Sequence, residues 1–240
     1  MIKKGCRLLL LGCFWAWFQC GCRKYDEHTV AVIPIQSYYE KITVNYSFHI
    51  TLVQDTSCYI AVMCAEEFQK KLLIQHQGNA LMLNSNLHAL WLKGYPRIRL
   101  EIHLKELPYI EVFKPCSISI PDTFRTHMFY LVDWGDYTDL QAKVQVDFLR
   151  IDSSGDSFGT YQVEGSAVNA DLYCRGSAAY DLSKLMADTC KAFHWSVSDM
   201  KVGVKHQLEA TIYASGNIIL HGNPMILLSR KGSGKVIILP

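Results

Sequence analysis

The feature that most restricts this chain is a hydrophobic period of two. From Ile42 to Val53 the apolar side chains fall on alternate residues: Ile42, Val44, Tyr46, Phe48, Ile50 and Leu52. Arg97 to Leu104 repeats the pattern, with Ile98, Leu100, Ile102 and Leu104 facing inward and Arg99, Glu101 and His103 outward. Successive side chains of an extended chain point to opposite faces, so this spacing specifies half-buried strands and not helices. Tyr59 to Cys64, Leu81 to Leu83, Tyr109 to Phe113 and Ser117 to Ile120 are further short apolar runs, the second of these entered through a turn at Gly78-Asn79. Only Ala65 to Lys71 reads as a turn or two of helix. The body of the chain is therefore expected to be all-β.

From about Val144 the strands recur between small-residue turns: Ser153-Ser154-Gly155, Gly165-Ser166-Ala167, Gly176-Ser177-Ala178, Ser215-Gly216-Asn217 and Gly232-Ser233-Gly234. Two neighbouring segments look alike, Gly165 to Leu172 and Gly176 to Leu182, although the glycine spacing varies from eleven residues (Gly165 to Gly176) to sixteen (Gly216 to Gly232). Self-similar strand–turn units predict a β-helix or solenoid, in which each turn buries its inner face only by stacking on the next. A sandwich with Gly-Ser hairpins is the alternative that composition leaves open.

The N-terminus carries a different signal. Lys3, Lys4 and Arg7 precede an uncharged run from Leu8 to Phe18, too short to span a bilayer permanently. A basic start and a short apolar stretch describe a secretory signal peptide. Gly21 precedes Cys22, the arrangement in which a bacterial lipoprotein cysteine becomes the lipidated residue of the processed chain, with Cys20 as a weaker competing acceptor. The expected organisation is a signal peptide over 1–21, a tether over 22–29 and a β domain over 30–240, with a strand-rich part to 143 and a repetitive part from 144. The anchor would attach the protein to a membrane through at least two acyl chains, enough for stable retention.

Charge narrows the partners. The chain has 24 Lys and Arg against 22 Asp and Glu, and removal of residues 1–21 leaves 21 against 22. A near-neutral domain without a basic run lacks the footprint of a nucleic-acid binder. The cysteines beyond the anchor, Cys58, Cys64, Cys116, Cys174 and Cys190, form neither a Cys-x-x-Cys pair nor a zinc spacing. Cys174 with Cys190 is the one pairing considered, against the reading, favoured here, of five small buried residues.

The closing segment Ala214-Ser-Gly-Asn-Ile-Ile-Leu-His-Gly-Asn-Pro224, followed by Lys231-Gly-Ser-Gly-Lys-Val236, resembles the head GIN domain family, a group of auto-transporter adhesins many of which are Bacteroidota lipoproteins. Arg99 to Val112 (RLEIHLKELPYIEV) is similar to the family's strand, Leu-Pro and strand sequence. The resemblance spans roughly residues 30–240 and implies a β-solenoid-like stack in the cell envelope, without an established enzymatic activity.

Motifs for catalysis are thin. Gly232-Ser-Gly-Lys235 lacks the upstream glycine and following helix of a phosphate loop, and Ser198-Asp-Met-Lys201 lacks the companions of an S-x-x-K nucleophile. The more informative cluster is Asp133, Trp134, Asp136, Tyr137 and Asp139, where carboxylates could ligate calcium or aromatic rings could hold a sugar. The scattered histidines form no metal pair, and no cofactor is expected. The function expected is a non-catalytic cell-envelope lipoprotein of the outer membrane, an adhesin or binding module for protein or glycan. The rival readings are a periplasm-facing structural or signalling envelope protein and a β-helix carbohydrate-active enzyme.

Overall fold

The alternation read from the sequence closes into a coil. A computed structural model describes residues 29–87 and 98–239. The strands are β1 (Val30–Pro34), β2 (Lys41–Val44), β3 (His49–Gln54), β4 (Tyr59–Met63), β5 (Leu72–Gln77), β6 (Ala80–Ser85), β7 (Arg99–Leu104) and β8 (Tyr109–Val112). A short helix, α1 (Glu66–Gln69), follows β4. Long strands come next: β9 (Cys116–Asp133), β10 (Thr138–Ser153), β11 (Thr160–Gly176), β12 (Ala179–Ser196) and β13 (Met200–Ile212). The chain ends in β14 (Ile218–His221), β15 (Met225–Arg230) and β16 (Val236–Leu239).

From β9 to β14 each strand pairs in parallel with the strand one turn later, giving a solenoid of about 6 turns. Parallel stacking puts chemically similar residues on top of one another. One inward column runs Leu100, Ile50, Ile118, Leu140, Tyr161, Tyr180, Met200, Ile218 and Val236. A second runs Ile42, Ile110, Leu131, Ile151, Leu172, Ala192, Ala210 and Leu228. A third contains Phe129, Leu149, Ala170, Cys190, Leu208 and Ile226. All but the terminal members are buried, so the core is a set of continuous apolar ladders along the coil axis.

Each long strand bends. The register slips near Ala142/Val144, Gln162/Gly165 and Leu182/Met186. Farther on, two consecutive residues escape full burial where strict alternation would bury one (Asp147-Phe148, Val168-Asn169, Asp188-Thr189). With the connecting turn, each turn of the coil thus has three flanks. At the first bend Gly165 adopts φ +117, and a Cβ there would overlap the carbonyl oxygen of Val144 in the preceding turn.

The turns shorten toward the C-terminus. Cys116 pairs with Thr138, twenty-two residues on, whereas Met200 pairs with Ile218 and Ile218 with Val236, eighteen on. The lookalike segments at Gly165 and Gly176 are therefore not successive turns: they sit at different corners of one turn, each needing a small residue. Gly165 lies beside Leu185, and Gly176 beside Ser196.

The first part of the chain extends two of the flanks and then changes direction. β3 and β7 continue the first flank in parallel, but β4 and β1 join it antiparallel. On the third flank β8, β2 and β6 are parallel, and β5 closes antiparallel as a hairpin with β6, turning at Gly78 (φ +58). The boundary drawn at residue 143 falls inside β10. Of the outward residues expected on β7, His103 is instead buried: Tyr59 stacks on its ring at 4.0 Å, and Asp55 and Glu101 take its two nitrogens.

Candidate interaction surface

The turn between β9 and β10 holds the cluster singled out in the sequence, and the structure divides it. Asp133 ends β9 on an inward position and is fully buried. Its carboxylate accepts hydrogen bonds from the Tyr161 hydroxyl at 2.5 Å, the Gly135 amide at 2.9 Å and the Ser157 hydroxyl at 3.4 Å. Burial raises its pKa, and these bonds offset that only in part. Asp136 is exposed, while Asp139 accepts from Thr160 at 2.8 Å. One carboxylate is thus buried, one exposed and one bonded to Thr160, and among the described residues no three His, Cys, Asp or Glu side chains are grouped to hold a metal ion.

The aromatic members point out. Trp134 is 57% exposed, and Phe158 of the next turn, also 57% exposed, packs against Tyr137 with ring centroids 5.4 Å apart. Backbone bonds hold the rings in place: Trp134 N donates to Val112 O at 2.8 Å, and Phe158 N donates to Asp136 O at 3.0 Å. Phe113, exposed at the end of β8, follows Val112, whose carbonyl accepts from Trp134, and exposed Asp136 and Asp156 lie on the same two connecting turns, so the region is an aromatic and acidic corner by backbone register. Such a corner offers ring faces for apolar contact and oxygens for hydroxyl groups.

Trp134 also links the corner to a surface that sequence reading missed. Its side chain hydrogen-bonds Glu111, which accepts from Lys41 and Tyr109 as well; burial opposes ionisation of Glu111, but these partners hold its pKa below the ordinary value. From Tyr109 a ladder of rings and cations climbs the outside of the third flank. Tyr109 lies 4.5 Å from Tyr130, and the Arg150 guanidinium sits over Tyr130 at 5.0 Å and over Tyr173 at 4.5 Å. Arg175 covers Tyr173 and Trp195 and pairs with Asp152. Tyr173 stacks on Phe193 at 4.8 Å and Trp195 on Tyr213 at 4.3 Å, with the Lys231 ammonium over Tyr213 at 4.8 Å. The ring faces are spent on one another, so this ladder braces the coil, while the corner leaves its faces open. The clue was a spacing of about one coil turn among these aromatics, invisible until the turn length is known.

The remaining motifs take structural places. Ser198 Oγ donates to Ser177 O at 2.9 Å, and Lys201 Nζ to Asp181 at 2.8 Å, so the two groups engage different neighbours. Gly232 to Lys235 forms the turn between β15 and β16. Cys174 and Cys190 are free and buried: Cys174 is in register with His194 and Cys190 with Ala170, four positions apart. Burial pushes both thiols up to about 12. A shallow groove of about 330 Å³ is lined by Arg125, Asp147, Asp188 and Lys205 among others. Within it Lys205 pairs with Asp188 at 3.0 Å, Arg125 donates to Gln145 at 3.2 Å, and the His127 ring lies 2.6 Å from Asp147. Cys22, the signal segment and His88 lie outside the described residues.

Comparison with known proteins agrees with this architecture. A family model described as "putative auto-transporter adhesin, head GIN domain" matches residues 38–224. The crystal structure of a "putative adhesin" from Bacteroides fragilis superposes with a TM-score of 0.78 at 18% identity, covering 88% of this chain and 96% of that one. Another, from Parabacteroides distasonis, gives 0.65 at 16% identity with the same coverage. A "putative lipid binding protein" from Parabacteroides distasonis gives 0.61 at 18% identity, covering 89% of this chain and 98% of its own. At these identities the likeness is one of fold. No curated protein matches the chain significantly.

Proposed function

The chain belongs to the head GIN domain family, and on that premise we propose that it is a non-catalytic adhesin of the cell envelope that binds glycans through its aromatic corner. The observation that carries this reading is the exposure of Trp134 and Phe158, each 57%, on a turn whose backbone is pinned to both neighbouring turns. Sugars present apolar C–H faces and hydroxyl edges. Ring faces beside the free carboxylates of Asp136 and Asp156 suit that combination, and a rigid coil places them without an ordering cost on binding. A protein partner is the other ligand class that the corner's apolar surface suits.

A non-catalytic role is supported by the state of the charged groups. The buried carboxylate of Asp133 is committed to Tyr161, Ser157 and Gly135, and in the groove Lys205 is paired with Asp188. In the proposed organisation, residues 1–21 are removed, Cys22 carries the lipid, and residues 22–29 tether the coil to the outer membrane. Intact cells producing the wild type or Cys22→Ala are treated with protease. The expected result is that the wild type is shaved and Cys22→Ala is released; protection of the wild type until the envelope is opened would rule out a surface adhesin. Cells carrying Trp134→Ala/Phe158→Ala should then adhere to a mucin-coated surface at least tenfold less than wild-type cells. Equal adhesion would remove the corner from the account.

A further inference from the structure

The outward face of the first flank changes character along the coil. On β1 the outward side chains are Val30, Val32 and Pro34, and the two valines are 59% and 63% exposed, while Ala31 and Ile33 pack against the core. On β4, the strand beside it, the residues in register with these three are Met63, Ala61 and Tyr59. One strand further, on β7, the positions in register become Arg99, Glu101 and His103. Apolar side chains thus cover two strands at the N-terminal rim and stop at charged ones. Tyr38, exposed just beyond β1, adds an aromatic ring of the kind that gathers at membrane boundaries. Two strands span about 10 Å, which matches the depth of about 5–10 Å to which an amphipathic surface enters the boundary of headgroups and acyl chains.

We propose that this rim rests in the headgroup layer of the membrane that holds the lipid anchor, so that the coil stands on its N-terminal end. The inference rests on Cys22 carrying the lipid. Between Cys22 and Val30 lie seven residues, a span of at most about 28 Å when fully extended. From β1 to β16 the strand order runs through ten spacings, about 48 Å. The anchor therefore delivers the bilayer to the rim in every molecule, and the apolar strands at the far end of an upright coil stand beyond its reach. Charge beside the rim is balanced. The helix α1, tied to the end of the tether by the bond from Gln69 Nε2 to Thr29 O at 2.9 Å, carries Glu66 and Glu67 against Lys70 and Lys71, with Lys70 Nζ 2.7 Å from Glu66. The free edge of β1 stays at headgroup depth, where water supplies hydrogen-bond partners, and out of hydrocarbon, where unpaired backbone is costly. The aromatic corner, on the turn between β9 and β10, then stands between four and five strand spacings above the rim, about 20 Å and clear of the headgroups.

The test uses the lipidated full chain, extracted from cells and reconstituted into vesicles of phosphatidylethanolamine and phosphatidylglycerol. Cys58→Ser removes the half-exposed thiol, the other cysteines of the described residues being buried. A nitroxide is then attached at Val32→Cys or at Val197→Cys, an exposed position in the turn between β12 and β13. Flotation is read first, and the labelled protein is expected to rise with the vesicles. The nitroxide at position 32 should favour oxygen over an aqueous nickel chelate about fivefold more than the one at position 197 does. Floating protein with both labels in water would overturn the rim contact and leave the anchor standing. Both labels in lipid would mean a coil lying on its side, which overturns the contact as well. Protein that stays at the bottom of the gradient would overturn the anchor itself, and the contact with it.

Discussion

Asp133 shows what a residue's place in the coil does to its chemistry. In the sequence it is one of three neighbouring carboxylates; in the structure it is the only one of them turned inward, because it ends a strand on the buried parity. Its partner Tyr161 is an inward member of the next turn but one, a pairing that no local motif announces. Tyr161→Phe removes the 2.5 Å bond and leaves a buried carboxylate under-solvated. The expected loss is about 2 kcal/mol of stability, read from urea unfolding. His194 makes the complementary case. It is fully buried beside Gly216, and burial lowers its pKa against the opposing pull of the Ser198 backbone and Asp199. A base with a depressed folded-state pKa has no penalty while both states are neutral. The penalty begins as pH falls below the unfolded value of about 6.5, where only the unfolded chain takes up the proton, and grows until the folded value is reached. Stability should therefore decline as pH falls from about 7 through the unfolded value of about 6.5, with a shallower slope in His194→Gln, measured by denaturant unfolding at each pH.

At the scale of elements, the strands were legible and the repeat was not. Alternation placed β2, β3 and β7 because one-sided burial writes itself directly into a strand, and short apolar runs placed β4 and β8. The turn length was hidden because glycine marks more than one corner of each turn. Gly216 compared with Gly232 gives sixteen residues, but Gly216 stacks under Gly234 and Ala214 under Gly232, at eighteen. Side-chain ladders carry the same period: Asp199 accepts from Asn217, and Asn217 from the amide of Lys235. In wider turns the interval is 20, as in Glu164–Lys184, Asn169–Thr189 and Asp181–Lys201. A narrowing coil needs smaller contents, and the second column changes from Ile151 and Leu172 to Ala192 and Ala210 as the turns shorten. Ala192→Leu should accordingly destabilise the domain by about 1–3 kcal/mol through overpacking, although leucine occupies the same column one turn earlier. A thermal melt unchanged by that substitution would contradict the tight packing of these turns.

For the molecule as a whole, stacked turns explain the rigidity of the corner. Each turn contacts chiefly its neighbours, so side chains far apart in sequence, such as Trp134 and Phe158, are fixed relative to one another by the backbone ladder. The sequence supplied two of the corner's aromatics, Trp134 and Tyr137, because they share one turn. Phe113 and Phe158 come from the turns before and after, and only the coil brings them alongside. The central claim is that this corner binds glycan. The most direct test is a glycan array probed with fluorescently labelled wild-type protein and with Trp134→Ala/Phe158→Ala. The account predicts that the wild type captures a defined set of glycans and that the double variant loses at least tenfold of that signal at an unchanged melting temperature. A wild type that captures none, or a variant that captures the same set equally well, would contradict it.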